Sequence, residues 1–190
     1  MALPDRPAVV CVSGASGSGK TILVAGMVKE LSRRGYRVAT VKHAAHGFQL
    51  DEAGKDSWRH AAAGAVAVAV SGPSQFALLE TPAAEYSLRS VLARLPPVDV
   101  VLVEGYKGEA CPRIQILPSN AAIPVPADPH VIAFVVADPQ ALPPAAAGAA
   151  VPVLSRDDIA GLCSLVARLV PSGGLTSGQR EKARGEMDQA

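Results

Sequence analysis

A short apolar run, Val9 to Val12, leads directly into the segment GASGSGKT at residues 14–21. The segment matches G-x-x-x-x-G-K-[ST], a pattern that predicts a phosphate-binding loop between a strand and a helix. Glycine lets backbone N–H groups turn toward phosphate oxygens without a Cβ in the way, and the helix adds its N-terminal dipole. A chance glycine-rich turn is the alternative, but the strand, loop and helix signals all agree.

Two side chains of this loop are predicted to take part in binding beside its backbone N–H groups, those of Lys20 and Thr21. The Lys20 ammonium group can reach the outer phosphates, which also makes it a candidate catalytic residue. The Thr21 hydroxyl is a candidate magnesium ligand, because magnesium prefers oxygen donors.

The composition limits the class of protein. With 190 residues, 49% of them apolar, the chain can bury a sizeable core, which we expect to be one domain over residues 1–170. Residues 171–190 lack a periodic apolar face, which predicts a disordered tail. The net charge of +1 argues against nucleic-acid binding. The lack of a long apolar run or a leader sequence argues against membrane insertion and favours the cytoplasm.

The three cysteines, Cys11, Cys111 and Cys163, are far apart and form no C-x-x-C pair. An odd number of separated cysteines in a chain expected in the cytoplasm predicts reduced, structural thiols.

The order of apolar runs predicts the α/β fold of P-loop NTPases, with a mostly parallel sheet flanked by helices. A strand, a helix and a second strand joined by short turns form a βαβ unit, whose two strands are parallel. A glycine-proline turn at residues 72–74 predicts a small β-hairpin insertion. The predicted strands cover 9–12, 36–42, 66–70, 76–80, 98–103, 113–117, 131–137 and 151–154. The predicted helices cover 21–34, 58–63, 84–95 and 155–170, the last one capped by Ser155.

In an open parallel sheet, ligands bind beyond the carboxyl ends of the strands. Lys42 and His43 end one predicted strand and are candidate ligand-binding residues at that edge. Glu104 ends the run VVLVE and is a candidate magnesium ligand. Asp99 is the alternative acid, but it lies five residues upstream, roughly 16 Å away along a strand. We therefore expect Asp99 at the opposite end of the sheet.

Two further aspartates are candidates for the nucleotide site. Asp51 lies in the polar segment after the second strand, where loops often order around a γ-phosphate and magnesium. It is a candidate metal ligand or catalytic residue that orients the attacking water, although a solvated loop carboxylate is an equally good interpretation. Asp138 follows another strand and could accept hydrogen bonds from N1 and N2 of guanine.

His43 and His46 could both donate imidazole nitrogen to a metal. Two histidines alone are a weak metal signal, so a substrate-binding or structural role is favoured over metal binding.

Five segments together resemble the molybdopterin-guanine dinucleotide biosynthesis protein B (MobB) family: GASGSGKT, VKHAAHGFQLDEAGKDSWRHAAAGA, ETP, VDVVLVEGYK and HVIAFVVAD. The likeness covers about residues 8–170. The segment that begins at Lys42 is far more specific than the phosphate-binding loop, which many unrelated proteins share. Ala45 stands where relatives often have a second adjacent histidine.

The resemblance implies a GTP-binding protein with weak GTPase activity at most, a homodimer that uses Mg²⁺. It also implies an adapter that carries nucleotide, or molybdopterin itself, to the guanylyltransferase of the molybdenum cofactor. The family's nucleotide-binding positions fall on Gly17, Ser18, Gly19, Lys20 and Thr21. Its loop motif falls on Lys42, His43, His46, Asp51, Gly54, Lys55, Asp56 and Ser57, and its acidic strand end falls on Glu104, Gly105, Tyr106 and Lys107.

Two alternatives remain on the residues alone. A small-molecule P-loop kinase would use the same phosphate-binding loop, but the chain shows no obvious arginine-rich lid helix. A nickel-type metallochaperone GTPase would use the two histidines, but the chain has no histidine-rich tract.

Overall fold

The computed structural model describes residues 7–106, 108–118, 128–140 and 150–171. The predicted disordered tail lies outside these residues except for Pro171, and Lys107 also lies outside them. Two compact units are present. The first contains the described residues up to His43 and from Leu95 onward, and the second contains residues 44–94.

The elements follow the predicted order of strands and helices. In chain order they are β1 (Ala8–Ser13), α1 (Lys20–Arg33), β2 (Val38–Lys42), α2 (Asp56–Ala62), β3 (Ala67–Ser71), β4 (Phe76–Glu80), α3 (Leu88–Leu92), β5 (Val100–Glu104), β6 (Arg113–Ile116), β7 (Val131–Val136), β8 (Val153–Ser155) and α4 (Ile159–Ala167).

The first unit is built on a six-stranded sheet in the order β2-β5-β1-β6-β7-β8. Every pairing between neighbouring strands in this sheet is parallel. Strand β1 therefore lies between β5 and β6, and the loop that follows it leaves the middle of the sheet. The prediction of a mostly parallel α/β sheet is confirmed.

The core of the first unit lies between the sheet and the helices α1 and α4. Strands β1 and β5 are apolar without alternation because both of their faces are buried. Helix α1 contributes Leu23, Met27 and Leu31, which are spaced four residues apart and so share one face. Each fully buried side chain of this size stabilises the fold by about 1.5–3 kcal/mol.

Helix α1 ends as its sequence predicts. Gly35 has φ of +86°, a left-handed conformation that glycine adopts at little cost and that stops a helix. Hydrogen bonds from Arg33 and Arg34 lower the pKa of Glu30 to about 2. The two arginines thus hold a charge cluster at the negative end of the helix.

The second unit contains the predicted hairpin. Strands β3 and β4 pair antiparallel, with Val68 opposite Leu79 and Ser71 opposite Phe76. Helix α2 precedes the hairpin, and α3 follows it.

Two helix predictions were wrong in extent. The helix expected over 84–95 is limited to Leu88–Leu92, because Ser87 is its N-cap and accepts a hydrogen bond from Ser90 N. The last helix is capped by Asp158, whose side chain accepts from Gly161 N at 2.9 Å, and not by Ser155. Ser155 is instead the last residue of β8.

The prediction that all three cysteines are reduced was wrong. Cys11 on β1 and Cys111, just before β6, form a disulfide. The two residues are 100 positions apart in sequence, but β1 and β6 are neighbouring strands. Cys163 is free and buried, and its burial raises the pKa of its thiol to about 11.

Among the residues that the structure describes, no helix is long and apolar enough to cross a bilayer.

Candidate functional site

The carboxyl edge of the sheet brings the candidate residues of the first unit together. Parallel pairing sets Lys42 of β2 opposite Glu104 of β5, and Glu104 opposite Val12 of β1. The phosphate-binding loop therefore begins directly beside the end of β5. Asp99 lies at the other end, where its buried carboxylate accepts a hydrogen bond from Arg37 N at 2.7 Å. The choice of Glu104 over Asp99 on spacing agrees with this placement.

The loop from Gly14 to Thr21 depends on its glycines for shape. Gly17 and Gly19 have φ of +71° and +85°, where a side chain would be strained. A Cβ on Gly14 would lie 2.7 Å from the Ser18 hydroxyl and 3.2 Å from the Ile116 carbonyl oxygen, so a side chain there would force its neighbours to shift. These positions keep the backbone of the loop tight and its N–H groups accessible.

Positive charge is concentrated at this loop. The Lys20 ammonium group donates hydrogen bonds to the carbonyl oxygens of Gly14 and Ala15 at 3.2 and 2.7 Å, so it lies folded over the loop. Helix α1 begins at Lys20, and its first turn contains no acidic residue to offset the helix dipole. Gly19 is its N-cap and has no side chain that could compete for the first N–H groups.

Thr21 and Glu104 are in direct contact across the loop. The Thr21 hydroxyl lies 3.1 Å from each oxygen of the Glu104 carboxylate and donates to them. The Lys42 ammonium group lies 3.6 Å from the same carboxylate. A hydroxyl and a carboxylate on the edge of a phosphate-binding loop form the oxygen set that magnesium uses with phosphates.

His43 is held against the segment that follows β5. Its backbone N–H donates to the backbone oxygen of Glu104 at 2.8 Å. Its ring lies against that of Tyr106, with the ring centroids 4.5 Å apart. A Cβ on Gly105 would lie 2.7 Å from Cβ of His43, so only glycine fits there. Tyr106 has φ of +49°, which is uncommon for a residue with a side chain. The backbone after Glu104 is thus fixed by close packing on His43.

Asp138 lies just beyond β7 on the same carboxyl edge of the sheet, and its side chain is exposed. Its Oδ1 accepts a hydrogen bond from Gln140 N at 2.8 Å, which orients the carboxylate. Asp138 therefore lies at the same edge of the sheet as Lys42 and Glu104.

Asp51 belongs to the second unit, as do His46, Lys55 and Asp56. Its Oδ1 accepts hydrogen bonds from Glu52 N at 2.9 Å and from the Ser57 hydroxyl at 3.1 Å. Its Oδ2 is buried without a hydrogen-bond partner among the described residues. A buried carboxylate oxygen needs a partner, so this atom is available to a cation or a water.

The remaining residues of the loop motif lie on the surface of the second unit. Lys55 forms an ion pair with Glu52 at 2.7 Å, and Asp56 begins α2. His46 is exposed in a turn in which Gly47 N donates to Ala44 O. Within the described ranges, no group of three or more histidine, cysteine, aspartate or glutamate side chains is arranged to hold a metal ion.

Sequence reasoning missed Arg156, which follows β8. Its guanidinium group lies against Gly19, because a Cβ built there would be 3.3 Å from its Nη1. No motif includes this arginine, and only the position of β8 in the sheet brings it to the loop. The one available signal was its place at the end of a predicted strand.

Known proteins with similar sequences belong to one family. A sequence model of the family described as "Molybdopterin guanine dinucleotide synthesis protein B" (MobB) matches residues 9–137. The molybdopterin-guanine dinucleotide biosynthesis adapter protein of Haemophilus influenzae is 38% identical over 127 residues, which cover 64% of this chain and 70% of that protein.

Two solved structures resemble the fold over almost their full length. The MobB homologue from Bacillus stearothermophilus has 29% identity and a TM-score of 0.58, and the match covers 84% of this chain and 98% of that one. Bacillus subtilis MobB has 24% identity and a TM-score of 0.67, with 86% of this chain and 98% of that one covered. The second likeness concerns the fold alone.

Proposed function

The chain belongs to the MobB family of adapters in molybdopterin guanine dinucleotide biosynthesis, and we propose that it binds GTP with magnesium for the guanylyltransferase of that step. The observation that carries the proposal is the contact between Thr21 of the phosphate-binding loop and Glu104 of β5. It joins a phosphate cradle to a carboxylate, which is what a magnesium nucleotide requires.

The phosphates are proposed to bind to Gly17, Ser18, Gly19, Lys20 and Thr21. The uncapped start of α1 and the Lys20 ammonium group both favour an anion at this point. Bound phosphate would replace the Gly14 and Ala15 carbonyl oxygens as acceptor for Lys20. Charge-assisted hydrogen bonds to phosphate are stronger than bonds to neutral carbonyls, so this exchange is favourable.

The magnesium ion is proposed to be held by Thr21 and Glu104, which both offer oxygen donors. Asp51 keeps the role predicted from the sequence, a candidate metal ligand, and within the second unit its unpartnered Oδ2 is suited to a cation. When bound, magnesium neutralises part of the phosphate charge and orients the phosphate oxygens. Lys42, 3.6 Å from Glu104, would then be free to bind a phosphate oxygen instead.

Guanine is proposed as the base, with Asp138 as its acceptor. A carboxylate can accept hydrogen bonds from N1 and N2 of guanine, whereas adenine offers no such pair of donors. The support is the position of Asp138 at the carboxyl edge and its fixed orientation through Gln140 N.

Binding is proposed to matter more than hydrolysis, which we expect to be weak. Lys20 and Asp51 are the candidate residues for hydrolysis, as a phosphate contact and as the group that orients water. His43, packed on Tyr106, is proposed to contact the ligand at the β2–β5 end of the edge. Molybdopterin is a candidate ligand there, and the cytoplasm is the proposed location.

A homodimer is proposed to form through the hairpin of the second unit. Phe76 and Leu78 are two residues apart on β4, so they share one face of the hairpin, and they are 69% and 50% exposed. Within the described residues, β3 and β4 pair only with each other, so each strand has an unpaired edge. A lone two-stranded hairpin is marginally stable in water, and a second copy packed on this face would cover the two apolar side chains.

The adapter role can be tested by reconstitution. Purified guanylyltransferase would be assayed for dinucleotide formation from molybdopterin and limiting GTP, with and without this chain. We expect the wild-type chain to increase the yield and the Lys20→Ala variant to have no effect. An equal yield with wild type, variant and buffer would refute the adapter role.

A further inference from the structure

Arg156 reaches the phosphate-binding loop from the end of β8, the edge strand of the sheet. Its backbone N–H donates to Val136 O at 2.9 Å, so the chain at the end of β8 is held against the neighbouring strand β7. From there the side chain extends to Gly19, the residue immediately before Lys20. Two features therefore disfavour a larger residue at position 19: the left-handed backbone and the guanidinium group beside it.

The described residues do not provide a hydrogen-bond acceptor for every N–H of the Arg156 guanidinium group. Its Nε is buried and has no hydrogen-bond partner among the described residues. Within the described ranges, no ion pair joins Arg156 to a carboxylate. Arginine keeps its charge at all physiological pH values, so a partly buried, unpaired guanidinium is costly without an anion.

The surroundings favour phosphate as that anion. Lys20 and Arg156 flank the start of α1, whose first turn has no acidic residue. A planar guanidinium group can donate two parallel hydrogen bonds to phosphate oxygens. The loop between the two basic residues is the one that the sequence assigns to phosphate.

We infer that Arg156 is a nucleotide-binding residue that contacts a phosphate group of the nucleoside di- or triphosphate held by residues 14–21. The inference rests on the proposed function, because it assumes that this loop binds a nucleotide. It adds to the loop a second cation, delivered by the last strand of the sheet. The carboxyl edge then holds the phosphates from two sides.

The test compares Arg156→Gln, Arg156→Lys and Arg156→Ala with Arg168→Ala, a change of an exposed arginine at the end of α4. Binding of GDP and GTP would be measured by titration calorimetry, and inorganic pyrophosphate would be used as a competitor without a base. Glutamine keeps part of the side-chain stem and a polar end but lacks the charge, and lysine keeps the charge, so the pair separates phosphate binding from support of the loop.

We expect Arg156→Gln to weaken GDP, GTP and pyrophosphate binding at least about tenfold, the effect of losing one charged hydrogen bond. Arg156→Lys should recover part of the affinity, and Arg168→Ala should bind as wild type does. The salt dependence of binding should also become shallower in Arg156→Gln, because one charge contact is lost.

Two results would overturn the inference. Wild-type affinity in Arg156→Gln would show that the charge makes no contact, even if Arg156→Ala binds weakly. An equal loss in the lysine and glutamine variants, with unchanged salt dependence, would indicate packing alone. A wild-type protein that binds no nucleotide would instead refute the proposed function, and this inference with it.

Discussion

The Thr21 hydroxyl donates to both oxygens of the Glu104 carboxylate at 3.1 Å, although the two residues are 83 positions apart in sequence. The contact arises because β1 and β5 are adjacent parallel strands that end at the same edge of the sheet. It connects the start of α1 with the one acidic residue that ends a central strand of the sheet.

Replacement of Glu104 by glutamine should remove most of the effect of magnesium on GTP binding. Glutamine keeps an oxygen that can accept from Thr21 but loses the negative charge that attracts the cation. We expect the ratio of GTP affinities with Mg²⁺ and with EDTA to fall at least about tenfold. The control is Glu85→Gln, an exposed carboxylate of the second unit outside the loop motif. A variant with the wild-type ratio would rule out Glu104 as a metal ligand.

Asp99 should affect stability and not nucleotide binding. Its buried carboxylate accepts from Arg37 N, so Asp99→Ala leaves that N–H without its acceptor. We expect the free energy of unfolding to fall by about 1–3 kcal/mol in urea denaturation, with GTP affinity unchanged. Asp157→Ala, which alters an exposed residue, is the control. Loss of magnesium-dependent binding in Asp99→Ala would contradict the assignment of the two acids.

Glu104 and Asp99 show which features of the fold could be predicted from the sequence. Apolar runs such as Val100–Glu104 define buried parallel strands, and the end of such a run identifies the carboxyl edge. The position of Glu104, the antiparallel hairpin and the sequence of strands and helices were therefore predictable. Helix ends were less so, because Ser87 and Asp158 compete with other polar residues for the cap positions.

The order of strands in the sheet could not be predicted in the same way. It depends on pairing between distant segments, and it decides both the Cys11–Cys111 disulfide and the approach of Arg156 to Gly19. Neither feature has a local pattern. Both follow only once β6, β7 and β8 are known to extend the sheet beyond β1.

The cysteines should react as one buried thiol and one disulfide. Burial raises the pKa of the Cys163 thiol to about 11, so at pH 8 the folded protein holds it as the unreactive thiol rather than the thiolate. We expect no iodoacetamide labelling in the folded protein. One label is expected after denaturation without reductant, and three after denaturation with reductant. Three labels without reductant would show that Cys11 and Cys111 are not bonded.

Charge placed on the hairpin should prevent dimer formation. In the double variant Phe76→Lys, Leu78→Lys, two exposed apolar side chains become cations, which repel their copies across a two-fold axis. Light scattering should give the mass of a dimer for wild type and of a monomer for the variant, with unchanged circular dichroism. Leu169→Lys, on the first unit, is the control and should remain dimeric. A monomeric wild type, or a dimeric double variant, would contradict the proposed interface.

The loop over residues 14–21 is proposed to bind a guanine nucleotide with magnesium. Calorimetric titration of the wild-type protein with GTP, GDP and ATP in Mg²⁺ tests it most directly, with Lys20→Ala and the exposed-lysine variant Lys29→Ala beside it. We expect GTP and GDP to bind more tightly than ATP, Lys20→Ala to abolish the binding and Lys29→Ala to preserve it. Equal or tighter binding of ATP, or wild-type affinity in Lys20→Ala, would contradict the proposal.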